Sequence, residues 1–470
     1  MSTELNLGAA GLIAFALAGC ATFSDDGGFD SVNAAVKART GQDVTWVRDK
    51  TAEASVAGEV KDLLAEPIGP EQAVRIALLN NRGLQAAYAD LGIAEADLVQ
   101  AGRLANPTFA YSRLARADGL EIERFLIFNV MSLITMSSRV EIAEQRFEQA
   151  KLNAAGEALR VALEARRGWF EAVGAKESER YFEMVKRSAD ASAELAARMA
   201  GVGNFSKLQR MREQAFYAET TTQLARAQQN ATAARERLTR TLGLWGAQTQ
   251  FRLPERLPDL PKTTRALGQF EATAMRERLD VRAAKHEAQS LAAVLGLTDA
   301  TRFSDVLEVG LQNKTETGEA RKNGWEAGLR LPIFDTGDAR IADAQHRYVQ
   351  SLQRARQIAV NARSEVREAW NAYRTAYDVA RHLRDEIVPL RKRISEENLL
   401  RYNGMLIGVF ELLADARTTI ASVNAAIEAQ REFWIADTNL QMALTGRSPG
   451  AMGMRAAAAA APGGNQGAGH

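Results

Sequence analysis

Cys20 is the first residue whose surroundings suggest chemistry. It follows Leu17-Ala18-Gly19 at the end of a small, mostly apolar run over 7–19. Small residues before a cysteine suit a lipoprotein signal peptidase, and the thiol can take a diacylglycerol. A run of about 13 residues has signal-peptide length, whereas a spanning helix needs about 20. The sequence therefore predicts a cleaved signal over 1–19 and a lipid-anchored chain starting at Cys20, each buried methylene of its acyl chains adding about 0.8 kcal/mol. No Lys or Arg precedes the run and Glu4 has the opposite sign, so an unmodified Cys20 in an apolar segment is the other reading. Ala21, rather than Asp, follows the cysteine, which by analogy with enterobacterial sorting favours the outer membrane.

A second candidate is the pair Glu411 and Asp415. Four residues apart, they share one helix face just after Gly404. Such carboxylates, gathered from several chains, would narrow a pore electrostatically and favour cations. A solvated acidic patch is the alternative. Lys207 and Arg210 occupy the corresponding turn of the first half and could pair with those acids. The run Gly201 to Lys207 faintly resembles a phosphate loop, but lacks the preceding strand and the Gly-Lys-Ser/Thr ending. Cys20 and the histidines His286, His346, His382 and His470 show no zinc spacing, and no nucleophile, dinucleotide or metalloprotease motif occurs. The sequence thus predicts neither an enzyme nor a cofactor.

The elements that must carry these residues are long helices. Ala, Glu, Arg, Gln and Leu dominate stretches without proline, such as 108–253. Charge is balanced, 59 basic against 58 acidic residues, so no basic excess points to nucleic acid. Residues 20–67 read as an N-terminal spacer with Asp25-Asp26-Gly27-Gly28 as a flexible stretch, and 447–470 as a disordered tail.

Between these lie two repeats, 68–262 and 263–446. Arg139 to Phe147 reappears as Arg340 to Tyr348, and the same offset of 201 aligns Gln149 with Gln350, Glu164 with Glu365 and Trp169 with Trp370. Leu84-Gln85-Ala86-Ala87 matches Val281-Arg282-Ala283-Ala284, and Arg198 to Gly201 matches Arg401 to Gly404. Each repeat predicts a helix (70–104; 264–300), a β-hairpin (about 107–131; about 303–333), a helix of about 60 residues (134–198; 338–400) and a returning helix (206–242; 408–445). Ala155, Ala158, Ala162 and Ala165 form a small-residue stripe suited to helix packing.

In the second hairpin Trp325, Ala327, Leu329, Leu331 and Ile333 alternate with Glu326, Gly328, Arg330 and Pro332. One apolar and one polar face over about ten residues is the pattern of a membrane β-barrel strand. Arg113 and Arg124 interrupt the pattern in the first hairpin. Four strands cannot close a barrel, since transmembrane barrels start at about eight, and lipid forbids open edges. Closure thus calls for oligomers, and a trimer gives twelve strands.

In this order, the motifs resemble the TolC-like outer membrane efflux protein family over nearly all of 68–446. Leu329-Arg330-Leu331-Pro332-Ile333-Phe334-Asp335-Thr336-Gly337 is similar to its strand-to-helix junction, with Pro332 and Gly337 swinging the chain. Arg278-Leu279-Asp280-Val281-Arg282-Ala283-Ala284 resembles the opening of the family's second half, and Arg401-Tyr402-Asn403-Gly404 with Glu411 to Ala416 its inner-helix turn. The resemblance implies a mainly α protomer with transmembrane β-hairpins, forming a homotrimeric twelve-strand barrel above an α-helical barrel. It implies outer-membrane lipid, a periplasmic adaptor protein and an inner-membrane pump as partners, and a periplasmic gate at Tyr402, Glu411 and Asp415. The acidic pair departs from the family by its spacing of four rather than three. A lipid-anchored coiled-coil protein without a pore, structural or adaptor-like, is the alternative.

Overall fold

The computed structural model describes residues 22–117, 119–265 and 268–446. Cys20, the expected signal and the tail 447–470 lie outside them. In chain order the elements are α1 (Phe29–Thr40), α2 (Lys50–Leu63), α3 (Pro70–Asn80), α4 (Arg82–Ala101), β1 (Thr108–Arg116), β2 (Gly119–Asn129), α5 (Val130–Ile134), α6 (Met136–Gly201) and α7 (Lys207–Leu242). The second run is α8 (Phe270–Glu277), α9 (Leu279–Ala300), β3 (Leu307–Glu316), β4 (Lys322–Leu329), α10 (Asp338–His382), a π-helical turn (Leu383–Ile387), α11 (Val388–Asn403) and α12 (Val409–Thr445). The chain groups into two compact units, one from the described parts of 1–32, 87–154 and 280–360, the other from 33–86, 155–279 and 361–446.

The first unit holds an antiparallel sheet in the order β1-β2-β3-β4. The strands are shorter than the alternation suggests in the second hairpin. Residues 303–306 and 330–333 leave the ladder, keeping one long bond from Arg330 N to Val306 O at 3.4 Å. Pro332 has no N–H to donate and ends the pairing there. Residues 22–28 are held rather than loose. Ser24 donates from N (2.7 Å) and Oγ (2.5 Å) to Glu95, Phe29 meets the Tyr88 ring edge-on, and Gly28 lies against Phe147. The expected flexible spacer is thus a packed turn.

The second unit is helical. Ala155, Ala158, Ala162 and Ala165 are all buried on α6, so the stripe serves close packing. Nearby, the Trp169 indole is buried and donates to Ile68 O at 2.7 Å, while Phe170 stacks on Trp434. A second cluster gathers Tyr373, Tyr377, Phe433 and Leu440 around α10 and α12. It pins the segment between repeats: Gln430 and Trp434 donate to Pro258 O, and Tyr377 Oη to Pro261 O. The π turn sits where the repeats fall out of step, between the Trp169/Trp370 match and the Arg198/Arg401 match, and Val388 N closes it onto Leu383 O.

Candidate functional site

Two regions carry the candidate residues: the sheet in the first unit and the two helix turns in the second. On the sheet, residues opposite one another share a face. One face rises through the rows Leu307–Leu329, Phe128–Val309–Ala327 and Phe109–Leu126–Leu311–Trp325. All are apolar, and Phe109, Leu311, Trp325 and Leu329 are exposed. The other face is mixed, carrying Ser112, Glu121, Glu123, Glu308, Gln312, Lys314, Lys322 and Glu326 beside Leu114, Phe125 and Ile127. There Lys314 bridges Glu121 and Glu123 across the β2–β3 pair. β1 and β4 are edge strands whose outer sides have no partner among the described residues.

Below β4 the chain turns into α10. Gly337 has φ +76°, and a Cβ there would stand 2.8 Å from Arg302 O, so only glycine fits. Asp335 Oδ1 accepts from Gly337 N at 2.8 Å, and Asp305 holds both Arg330 and Arg340 at 3.2 Å. Pro332 and Gly337 thus occupy the bend itself, while the Asp305 clamp is a feature that motif reading missed. Phe303, Leu331, Ile333 and Phe334 around this bend are all exposed, Phe334 fully.

The turns lie after α6 and α11. Tyr402 is half-buried at the end of α11. Glu411 and Asp415 share a face of α12 but do different work. Glu411 is exposed, and its Oε2 accepts from Gly408 N at 2.6 Å, capping its own helix. Asp415 is 8% exposed, and its Oδ2 is buried with no hydrogen-bond partner among the described residues. Lys207 and Arg210 are exposed on α7, and among the described residues neither pairs with these acids within the chain. The ion pair that does join α7 and α12 is Glu219–Arg417 at 3.3 Å, with Arg417 over the Phe216 ring. Its signal in the sequence was too plain to find: one acid and one base among many on polar helix faces.

Sequence reading also missed Glu213, which stands seven residues after the N-cap Ser206 as Asp415 does after the N-cap Gly408. It is buried and accepts from Ser192 Oγ at 2.9 Å. Among the described residues, no group of His, Cys, Asp and Glu could hold a metal ion, and no helix is long and apolar enough to cross a membrane.

No protein-family model matches the sequence, and neither does any curated protein. Solved structures do match. A membrane protein from Pseudomonas aeruginosa is 20% identical, with a TM-score of 0.69 over 80% of this chain and 93% of that one. The outer-membrane channel OprN is 18% identical, with a TM-score of 0.68 over 88% and 95%. The outer membrane channel MtrE of Neisseria gonorrhoeae, solved in its open state, is 20% identical, with a TM-score of 0.65 over 80% and 88%. Two of these are outer-membrane channels and the third is a membrane protein. The chain has the TolC-like outer-membrane channel fold.

Proposed function

We propose that this chain is one protomer of a homotrimeric outer-membrane duct, the outer component of a tripartite efflux or export system. The observation that carries the reading is the sheet: four strands, two outer edges unpaired among the described residues, three apolar rows on one face and most of the charged groups on the other. In hydrocarbon each unpaired backbone group costs several kcal/mol, so such edges need a neighbour. Joining β4 of one copy to β1 of the next, three times, gives a twelve-strand barrel with the apolar face to lipid and the carboxylates to the bore. The likeness to solved outer-membrane channels supports the same assembly.

In this reading the duct performs no chemistry. A periplasmic adaptor protein and an inner-membrane pump supply substrate and energy, and acyl chains on Cys20 add an anchor in the outer membrane. The periplasmic gate lies at the second turn, with Tyr402 and Asp415 packed into it and Glu411 holding its geometry through the cap. Lys207 and Arg210 would meet these acids only across protomers. Membrane fractionation tests the reading. It predicts a carbonate-resistant, heat-modifiable trimer in the outer-membrane fraction. A chain released by carbonate as a monomer would overturn it.

A further inference from the structure

The two arginines that interrupt the first hairpin point to a lipid-headgroup site. Arg124 lies in a row that crosses all four strands: Tyr111 opposite Arg124, Arg124 opposite Asn313, and Asn313 opposite Asn323. The row is bonded sideways, Arg124 Nη1 donating to Asn313 Oδ1 at 3.0 Å and Asn313 Nδ2 to Asn323 Oδ1 at 2.7 Å. It sits on the apolar face, directly above the Phe109–Leu126–Leu311–Trp325 row. Arg113 stands in the next row on the same face, exposed and without a hydrogen bond or ion pair among the described residues.

Position decides what these groups meet. From Phe303 at the bend to Asn313 the chain advances ten residues, at most roughly 33 Å, which at the 35–45° tilt of a barrel strand rises at most about 25 Å, the height of an outer-membrane apolar band. The polar row begins where that band ends, on the side of the hairpin tips. Arginine and tyrosine there face neither hydrocarbon nor bore, but the layer of phosphate-bearing headgroups. Guanidinium groups bind phosphate oxygens through paired N–H donors.

We propose that Arg113 and Arg124, with Tyr111, Asn313 and Asn323 orienting them, hold the phosphate of an anionic lipid at the outer rim of the barrel. This rests on the barrel reading above. The test uses the full chain purified as a trimer in detergent, with lipid A, phosphatidylglycerol and phosphatidylcholine added separately, followed by native mass spectrometry. The expected result is retention of the two phosphate-monoester or phosphoglycerol anionic lipids over phosphatidylcholine, weakened about tenfold for each guanidinium removed in R113Q and R113Q/R124Q. Inorganic phosphate at equal concentration should not compete, because the acyl chains pack on Leu311 and Trp325. R113Q removes no bond of the Asn313–Asn323 ladder, so it reports on binding even if the double variant fails to assemble. Equal retention by R113Q and the unaltered trimer, or equal retention of phosphatidylcholine, would overturn the proposal. A trimer that inserts and conducts while binding lipid indifferently leaves the duct reading intact; a chain that never inserts defeats that reading instead.

Discussion

At the turn after α6, Glu213 is buried and bonded to Ser192; at the matching place after α11, Asp415 is buried with one oxygen unbonded among the described residues. The left-handed position of the first turn is Gly203, at φ +81°; the second turn puts Met405 there, at φ +58°. The first returning helix opens with a reciprocal Ser206–Gln209 cap, whereas the second relies on Glu411 bonding Gly408 N, with no cap side chain of its own. Every difference runs the same way: the first turn is satisfied and the second is not. Strained backbone and unpaired buried polar atoms are what a segment needs if it is to change partners. The contrast supports placing the proposed gate at the second turn rather than the first.

The comparison extends to the helix breaks, where the largest effect is expected. Asn81 ends α3 and donates to Thr241 O at 2.9 Å; Arg278, at the matching break, is fully buried and donates to Glu365 at 2.8 Å and Ala443 O at 3.3 Å. Arg278→Met removes two bonds of a fully buried guanidinium and should cost about 3 kcal/mol, against about 1 kcal/mol for Asn81→Ala, measured by denaturant unfolding of detergent-held protein. Equal losses would mean that the two breaks are equivalent after all.

Next come the acids. Glu213→Ala should destabilise the protomer by about 1–3 kcal/mol, because Ser192 loses its acceptor in a buried site. Asp415→Ala should cost far less, and should instead raise conductance of the assembled channel. A reversed ranking would remove the contrast between the two turns.

The third effect is smaller. Met405→Gly should stabilise by about 1 kcal/mol and Gly203→Ala should destabilise by a similar amount, since a Cβ is strained at positive φ. Thermal unfolding of both variants decides this.

The smallest concerns charge. Arg235 and Asp437 occupy matching places on α7 and α12, yet Arg235 donates to Thr249 O and Phe251 O, while Asp437 pairs with Arg265 at 3.0 Å. Burial pushes the Asp437 carboxyl above the usual aspartate value of 3.8, with Arg265 and Arg166 opposing. The folded state therefore holds this proton more tightly than the unfolded one. Its contribution is most favourable below pH 3.8 and is lost as pH rises through the folded value. Asp437→Asn should flatten that part of a stability–pH profile, and an unchanged slope would assign it to other groups.

Much of this architecture was legible in the sequence because its signals are periodic. Alternation over 107–131 and 303–333 and the proline-free helical stretches each involve many residues, so single exceptions such as Arg124 do not hide them. Pro332 and Gly337 were legible because their backbone limits are intrinsic. Three features were not. The burial of Arg278 at its break rests on Glu365, which is far off in sequence and becomes a partner only on folding. The distinct roles of Glu411 and Asp415 depend on rotamers at one helix start, which spacing does not specify. The polar row is invisible until register aligns Tyr111, Arg124, Asn313 and Asn323, because a shift of one residue would send each to the other face.

The central claim is that three copies of this sheet close around a bore that the second turn restricts. Single-channel recording of the purified full chain in planar bilayers tests it most directly. The account predicts discrete conductance steps from a heat-modifiable trimer, with larger steps and weaker block by multivalent cations in E411A/D415A. A trimer that inserts but passes no current, or variants with unaltered conductance and block, would contradict it.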